Sequence, residues 1–153
     1  MTFCLDSTII EPKKSNDIYN IVVLLHGYGG DGKDISTLTL NWKRYMPNTI
    51  FICPNGHEPC TISSTGYQWF DLTKDDPNYI LAESLKAEEK LNKFLDEIKK
   101  EYNLDNNKIT LSGFSQGCMM SINTGLTSEK PFSSIVGFSG KIIDRDNLKM
   151  RRK

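Results

Sequence analysis

A chain of 153 residues, 38% apolar and 25% charged, has the composition of one ordinary globular domain able to bury a core. Its 19 basic residues balance its 19 acidic ones, which argues against nucleic acid as a partner, since that affinity needs surplus Lys and Arg. The two histidines and the four cysteines (positions 4, 53, 60 and 118) lack zinc-ligand spacing, so no metal is expected, and reduced thiols with Cys53 and Cys118 buried are.

Asp6, Glu11, Lys13, Lys14 and Asp17 interrupt the first twenty residues, so no secretory signal fits there. The densest apolar run, residues 21–25, is too short to cross a bilayer, and a cytoplasmic protein without a transmembrane segment is expected. Residues 3–11 predict an opening strand or hairpin arm. Residues 20–26 form a continuous apolar run rich in β-branched residues, which suits a central strand buried on both faces. A glycine-rich stretch follows at 27–32. Asp34 is placed to cap a helix whose Ile35, Leu38, Trp42 and Tyr45 recur at helical spacing, with Pro47 ending it.

Residues 49–53 predict a second buried strand, closed by Pro54, Asn55 and Gly56, and a loop runs from 57 to about 77. Over 81–102, Leu85, Leu91, Phe94, Leu95, Ile98 and Tyr102 make one helical stripe, with Glu89–Lys93 and Asp96–Lys100 as i,i+4 pairs opposite. Residues 109–113 predict a strand, 116–126 a helix and 134–138 a further strand. This alternation implies an α/β fold with a mainly parallel sheet and right-handed crossovers.

Gly113-Phe114-Ser115-Gln116-Gly117 matches G-x-S-x-G, a nucleophile elbow. The chemistry needs a serine on a sharp strand-to-helix turn, with minimal side chains two positions to either side. Alone the pattern arises by chance in roughly one chain of this length in twenty, from average composition. Here it lies between a predicted strand and a predicted helix, the setting it requires. Leu25-His26-Gly27-Tyr28-Gly29-Gly30 follows the first buried strand and can supply the second half of an oxyanion hole: the Gln116 N–H is one donor, the Tyr28 N–H the other. Residues 27–32 also match the dinucleotide pattern G-x-G-x-x-G. The acidic ribose ligand expected about twenty residues on is missing, because the chain there is Ile50-Phe51-Ile52-Cys53. No cofactor is expected.

With Pro54-Asn55-Gly56, Trp69-Phe70-Asp71 and Gly137-Phe138-Ser139-Gly140 added, the chain resembles the phospholipase/carboxylesterase family of α/β-hydrolases, which includes acyl-protein thioesterases. The resemblance covers essentially the whole chain. It implies an α/β-hydrolase fold with helices on both faces of the sheet, and hydrolysis of a small acyl ester or thioester through an acyl-Ser115 intermediate. It further implies Tyr28 and Gln116 as oxyanion donors and Trp69 as a substrate-binding residue near the acyl pocket.

In such enzymes the triad runs serine, acid, histidine. No histidine follows Ser115, and Asp144 and Asp146 fall too soon after the last predicted strand to be the acid; they are expected in a solvated turn. The residues 1–153 are therefore expected to form a single, incomplete domain lacking the last strands and helix. Residues 149–153 make a basic tail, either an exposed end or frameshift residue. Two functions stay open: a hydrolase completed by a C-terminal fragment, and a catalytically inactive remnant.

Overall fold

The computed structural model describes residues 3–12 and 18–153. The chain opens on β1 (Ser7–Ile10) and then enters β2 (Asn20–Leu25). From Ile21 to Leu25 no β2 side chain is more than 4% exposed, as an apolar run without alternation requires of a strand covered on both faces.

The next stretch departs from the sequence expectation. Asp31, not Asp34, caps the helix: its carboxylate accepts the Asp34 N–H, and α1 (Gly32–Ser36) is separate from α2 (Thr39–Trp42). Ser36, Thr37 and Thr39 each donate a hydroxyl to the carbonyl three residues back, which competes with the helical ladder and divides the expected single helix. Leu38 and Tyr45 end up exposed, while Trp42 packs on the sheet with its ring 6.4 Å from that of Phe51.

β3 (Thr49–Pro54) is buried throughout, antiparallel to β1 on one side and parallel to β2 on the other. Within the expected loop, β4 (Glu58–Pro59) and β5 (Tyr67–Gln68) pair as a small antiparallel ladder. The long helix α3 (Pro77–Tyr102) starts earlier than its apolar stripe suggests, because Asp76 accepts the Asn78 and Tyr79 N–H groups and Pro77 suits a first turn. Leu91, Phe94, Leu95 and Ile98 are at most 2% exposed and join one core with Ile21, Val23, Leu25 and Leu111. On its polar side the ion pairs are Glu83–Lys86 and Asp96–Lys99, at i,i+3 rather than the expected i,i+4.

β6 (Ile109–Phe114) lies parallel beside β2, and after α4 (Gln116–Thr127) the chain returns in β7 (Ser134–Phe138), parallel to β6. The order β1-β3-β2-β6-β7 makes β2 central and β7 an outer edge. Side chains alternate between faces, so Ile21, Val23 and Leu25 meet α3 while Phe51 meets the Trp42 side. Helices thus cover both faces. Toward β7 the cover thins: Phe114, Val136 and Phe138 share a face and are 49%, 39% and 45% exposed. Cys53 and Cys118 are both buried, and burial pushes the Cys53 thiol up to about 12.

The C-terminal residues correct the remaining expectations. Asp144 is the cap of a helix, α5 (Arg145–Arg151), accepting the Asn147 N–H at 2.7 Å, and Asp146 lies in that helix's first turn rather than in a solvated loop. Leu148 is 5% exposed. The basic tail is exposed at 149, 150, 152 and 153, but the Arg151 guanidinium grips Glu88 of α3 at 2.6 and 3.1 Å. Glu88 also accepts from Asn123 at 2.6 Å and Thr127 at 2.9 Å, so this buried carboxylate is well partnered. Among the described residues no helix is long and apolar enough to cross a membrane.

Candidate active site

At the carboxyl end of β6 the chain passes into α4 through one residue, Ser115, at φ 52° and ψ −113°. A residue with a Cβ held there costs on the order of 1–3 kcal/mol and persists only where its surroundings enforce it. The flanking glycines show how. A Cβ on Gly113 would come closer than 3.0 Å to the Gly117 main chain, and one on Gly117 closer than 3.0 Å to the Leu25 and His26 carbonyls. The Ser115 N–H is fixed as well, donating to Phe138 O at 2.8 Å. The first ladder bond of α4 runs from Met119 N–H to Ser115 O, so Gln116, Gly117 and Cys118 have N–H groups without partners inside the helix. They sit at the helix's positive end.

The glycine-rich loop reaches the same turn because β2 and β6 pair in register, Leu25 opposite Gly113, and their carboxyl ends emerge together. A Cβ built on Gly27 would lie 3.4 Å from Ser115 Cβ. Gly29, at φ 79°, then turns the loop, with its N–H donating to Tyr67 O and the Tyr67 N–H returning to Gly30 O. Tyr28, between these points, places its hydroxyl 2.8 Å from Thr61 Oγ1. Thr61 Oγ1 lies in turn 3.2 Å from Gln68 Oε1 and 3.3 Å from Asp71 Oδ1. So the structure brings Ser115, Gln116 and the Tyr28 loop together.

Trp69 packs against His26, a residue that lines the cavity beside the elbow. It is fully buried, its ring centroid is 5.5 Å from that of His26, and its indole N–H donates to His26 O at 3.0 Å. The sequence also gave no hint of what the Gln116 side chain does: buried at 1% exposure, it accepts the Trp69 N–H at 2.8 Å and donates to Phe70 O at 2.7 Å. A cavity of about 330 Å³ opens beside the elbow, lined among others by Tyr28, Ile35, Leu38 and Phe114. Ile35 and Leu38 carried a helical-stripe signal; nothing marked them as cavity walls.

His26 is engaged through both ring nitrogens, His57 through one: its Nδ1 is buried without a hydrogen-bond partner among the described residues. His26 Nε2 accepts the Gly56 N–H at 2.8 Å and Nδ1 lies 2.7 Å from Gly27 O, so these partners fix the Nδ1–H tautomer. His57 lies 3.4 Å from Glu58 and close to the charges of Lys90 and Glu83 on α3; no elbow residue is among those neighbours. Burial holds the His26 pKa below its ordinary value of 6.5, outweighing the raising effects of the Gly27 carbonyl and Asp31. A histidine whose folded pKa is depressed stabilises the fold fully above about 6.5 and loses that contribution as pH falls through the folded value. Acidification below about 6.5 should therefore loosen the His26–Gly56 junction. An NMR titration of the His26 ring with a midpoint at or above 6.5 would contradict this.

A serine on a strained strand-to-helix turn, at the carboxyl edge of a mainly parallel sheet and against a glycine-rich loop, defines an α/β-hydrolase. The chain belongs to the phospholipase/carboxylesterase family, whose model matches residues 5–152. It is 30% identical over 149 residues to acyl-protein thioesterase 1 of Schizosaccharomyces pombe, covering 92% of this chain and 63% of that protein. It is 29% identical to the Emericella nidulans protein of the same name, covering 84% and 59%. The crystal structure of esterase PE8 superposes with a TM-score of 0.90 at 35% identity, covering 97% of this chain and 69% of that one. Acyl-protein thioesterase 2 of Zea mays shares the fold, with a TM-score of 0.62 at 21% identity over 95% of this chain and 66% of that one. The chain spans less than two thirds of the length of these thioesterase 1 relatives.

Proposed function

We propose that this chain carries the nucleophile and oxyanion half of a serine hydrolase acting on a carboxylic ester or thioester. The observation that supports it best is the Ser115 turn at φ 52°, packed 3.4 Å from the position of a Gly27 Cβ. Ser115 Oγ adds to the acyl carbonyl carbon, and the negative oxygen that forms is held by the Gln116 and Tyr28 N–H groups. The C–O or C–S bond then breaks, leaving an ester on Ser115, and the leaving oxygen or sulfur takes up the serine's proton and departs as an alcohol or thiol. Water cleaves the acyl-serine. The acyl chain lies toward Ile35, Leu38 and Phe114, with Trp69 near that pocket, its indole also fixing the loop through His26 O.

A serine hydroxyl needs a base. We place that base on a complementing polypeptide that adds a strand at the β7 edge and covers Phe114, Val136 and Phe138. The engagement of His26 with Gly56 and Gly27, and the place of His57 among Glu58, Lys90 and Glu83 rather than elbow residues, support this reading. The test uses p-nitrophenyl butyrate and a short acyl thioester with the 153-residue chain, with Ser115→Ala, and with the portion of the Schizosaccharomyces pombe relative that this chain does not match added as a separate polypeptide. Alone, the chain is expected to exceed water by at most about 10³–10⁴, the residue left by oxyanion donors and binding. Turnover of about one per second or more, abolished in Ser115→Ala, would show a base within the chain. No gain with the added polypeptide and no serine-dependent rate would favour an inactive remnant.

A further inference from the structure

Between the two proposed oxyanion donors the sheet provides no connection, because the β2–β6 ladder ends at Leu25 and Gly113. Residues 67–70 bridge them instead. On the elbow side, the Gln116 amide accepts the Trp69 N–H at 2.8 Å and donates to Phe70 O at 2.7 Å. On the loop side, the Trp69 indole donates to His26 O at 3.0 Å, and Tyr67 exchanges main-chain bonds with Gly29 and Gly30.

We propose that this bridge sets the distance and tilt between the Gln116 and Tyr28 N–H groups, making Gln116, through its side chain, and Trp69 positioning residues of the site. The proposal rests on the oxyanion reading above. Its chemistry is specific. A carboxamide offers one acceptor and one donor side by side, matching the N–H of one residue and the carbonyl of the next. Neither a hydrocarbon nor a carboxylate can do both. The site is also dry, with Gln116 at 1% and Trp69 at 0% exposure, so water cannot substitute for a lost bond. Trp69 adds rigidity where Tyr28 needs it, two residues beyond the His26 carbonyl it holds.

The distinguishing variant is Gln116→Glu. Protonated, it reproduces both bonds, its O–H donating to Phe70 O; ionised, it sets a carboxylate oxygen against that carbonyl. Labelling of Ser115 by an alkyl fluorophosphonate is followed from pH 8 to 5, as a ratio to wild type at each pH. Hydrogen exchange is measured in peptides spanning residues 26–31. Gln116→Ala is expected to slow labelling about tenfold at every pH, a fraction of the effect of removing an oxyanion donor outright. Gln116→Glu is expected to match that loss at pH 8 and recover toward wild type as pH falls. Both variants, at pH 8, should quicken exchange at Gly29 and Gly30, as should Trp69→Phe. Arg151→Met, a destabilising change far from the bridge, serves as control and should show no such pH-dependent recovery.

A pH-independent Gln116→Glu ratio, with exchange at residues 26–31 unmoved in Gln116→Ala, overturns the bridge even if wild type labels through Ser115. If wild type resists the probe, as a chain without its base would, exchange at 26–31 decides alone: quickening in Gln116→Ala keeps the bridge, and no change overturns it.

Discussion

Gly117→Ala is expected to lower the thermal midpoint by roughly 4–8 °C, and the sign of that change is the informative part. Propensity points the other way: alanine within a helix is favoured over glycine by about 0.5–1 kcal/mol. At this position, however, the methyl would come closer than 3.0 Å to the carbonyls of Leu25 and His26, main-chain atoms at the end of the central strand. Neither atom can swing aside as the tip of a flexible side chain could. Relief requires α4 to back away from β2, opening the elbow that holds Ser115 at φ 52°. Overpacking of this kind costs about 3 kcal/mol, so about 2 kcal/mol remains after the propensity gain, at about 2–4 °C per kcal/mol for a domain of this size. A differential scan showing an unchanged or raised midpoint would mean that the glycine is there for some reason other than close approach.

Arg151→Met should also be costly, by about 3 kcal/mol, despite the residue's place two positions from the end of the sequence. Surface ion pairs rarely exceed about 1 kcal/mol. This one differs because the Glu88 side chain is only 4% exposed and cannot regain water when its partner is removed. Asn123 and Thr127 stay to bond the carboxylate, which limits the loss but leaves its charge uncompensated. Urea titration measures it, and a change within about 0.5 kcal/mol would class the pair with ordinary surface contacts. Adding Glu88→Gln to Arg151→Met should recover part of the loss, since an amide leaves no buried charge behind.

The parts of the molecule legible in its sequence are those where one strong signal dominates. β2 and β3 are unalternating apolar runs, and such runs have few other places to go in a chain this size. The parallel architecture followed from the alternation of strands and helices, and the family from a resemblance carried by the motifs at their ends. Helix starts were harder where caps set them: Asp31 rather than Asp34 caps α1, and α3 begins at an Asp-Pro pair lying outside its apolar stripe. The 32–42 region misled because Ile35, Leu38, Trp42 and Tyr45 keep helical spacing while three hydroxyls between them bond back to the main chain. Periodicity records side-chain polarity and is blind to that competition. Arg151 and Glu88 are 63 residues apart, and no local pattern joins a basic tail to one glutamate among several on a polar-looking helix. The same holds for Gln116, whose backbone role follows from its position beside Ser115 but whose side chain answers to a loop 46 residues upstream.

The bond from Ser115 N–H to Phe138 O has a consequence for when the site is lost. It hangs the most strained peptide of the elbow on the last residue of β7, an outer strand with side chains open to solvent. Strands at a sheet's margin open at lower free energy than those at its centre. Each time the end of β7 frays, the serine's amide is released and its backbone can relax toward an ordinary conformation, with the rest of the sheet still closed. The poise of the nucleophile therefore has its own melting behaviour, set by the margin rather than by the core. Whatever shields that margin acts on the serine through a single amide, without having to touch it.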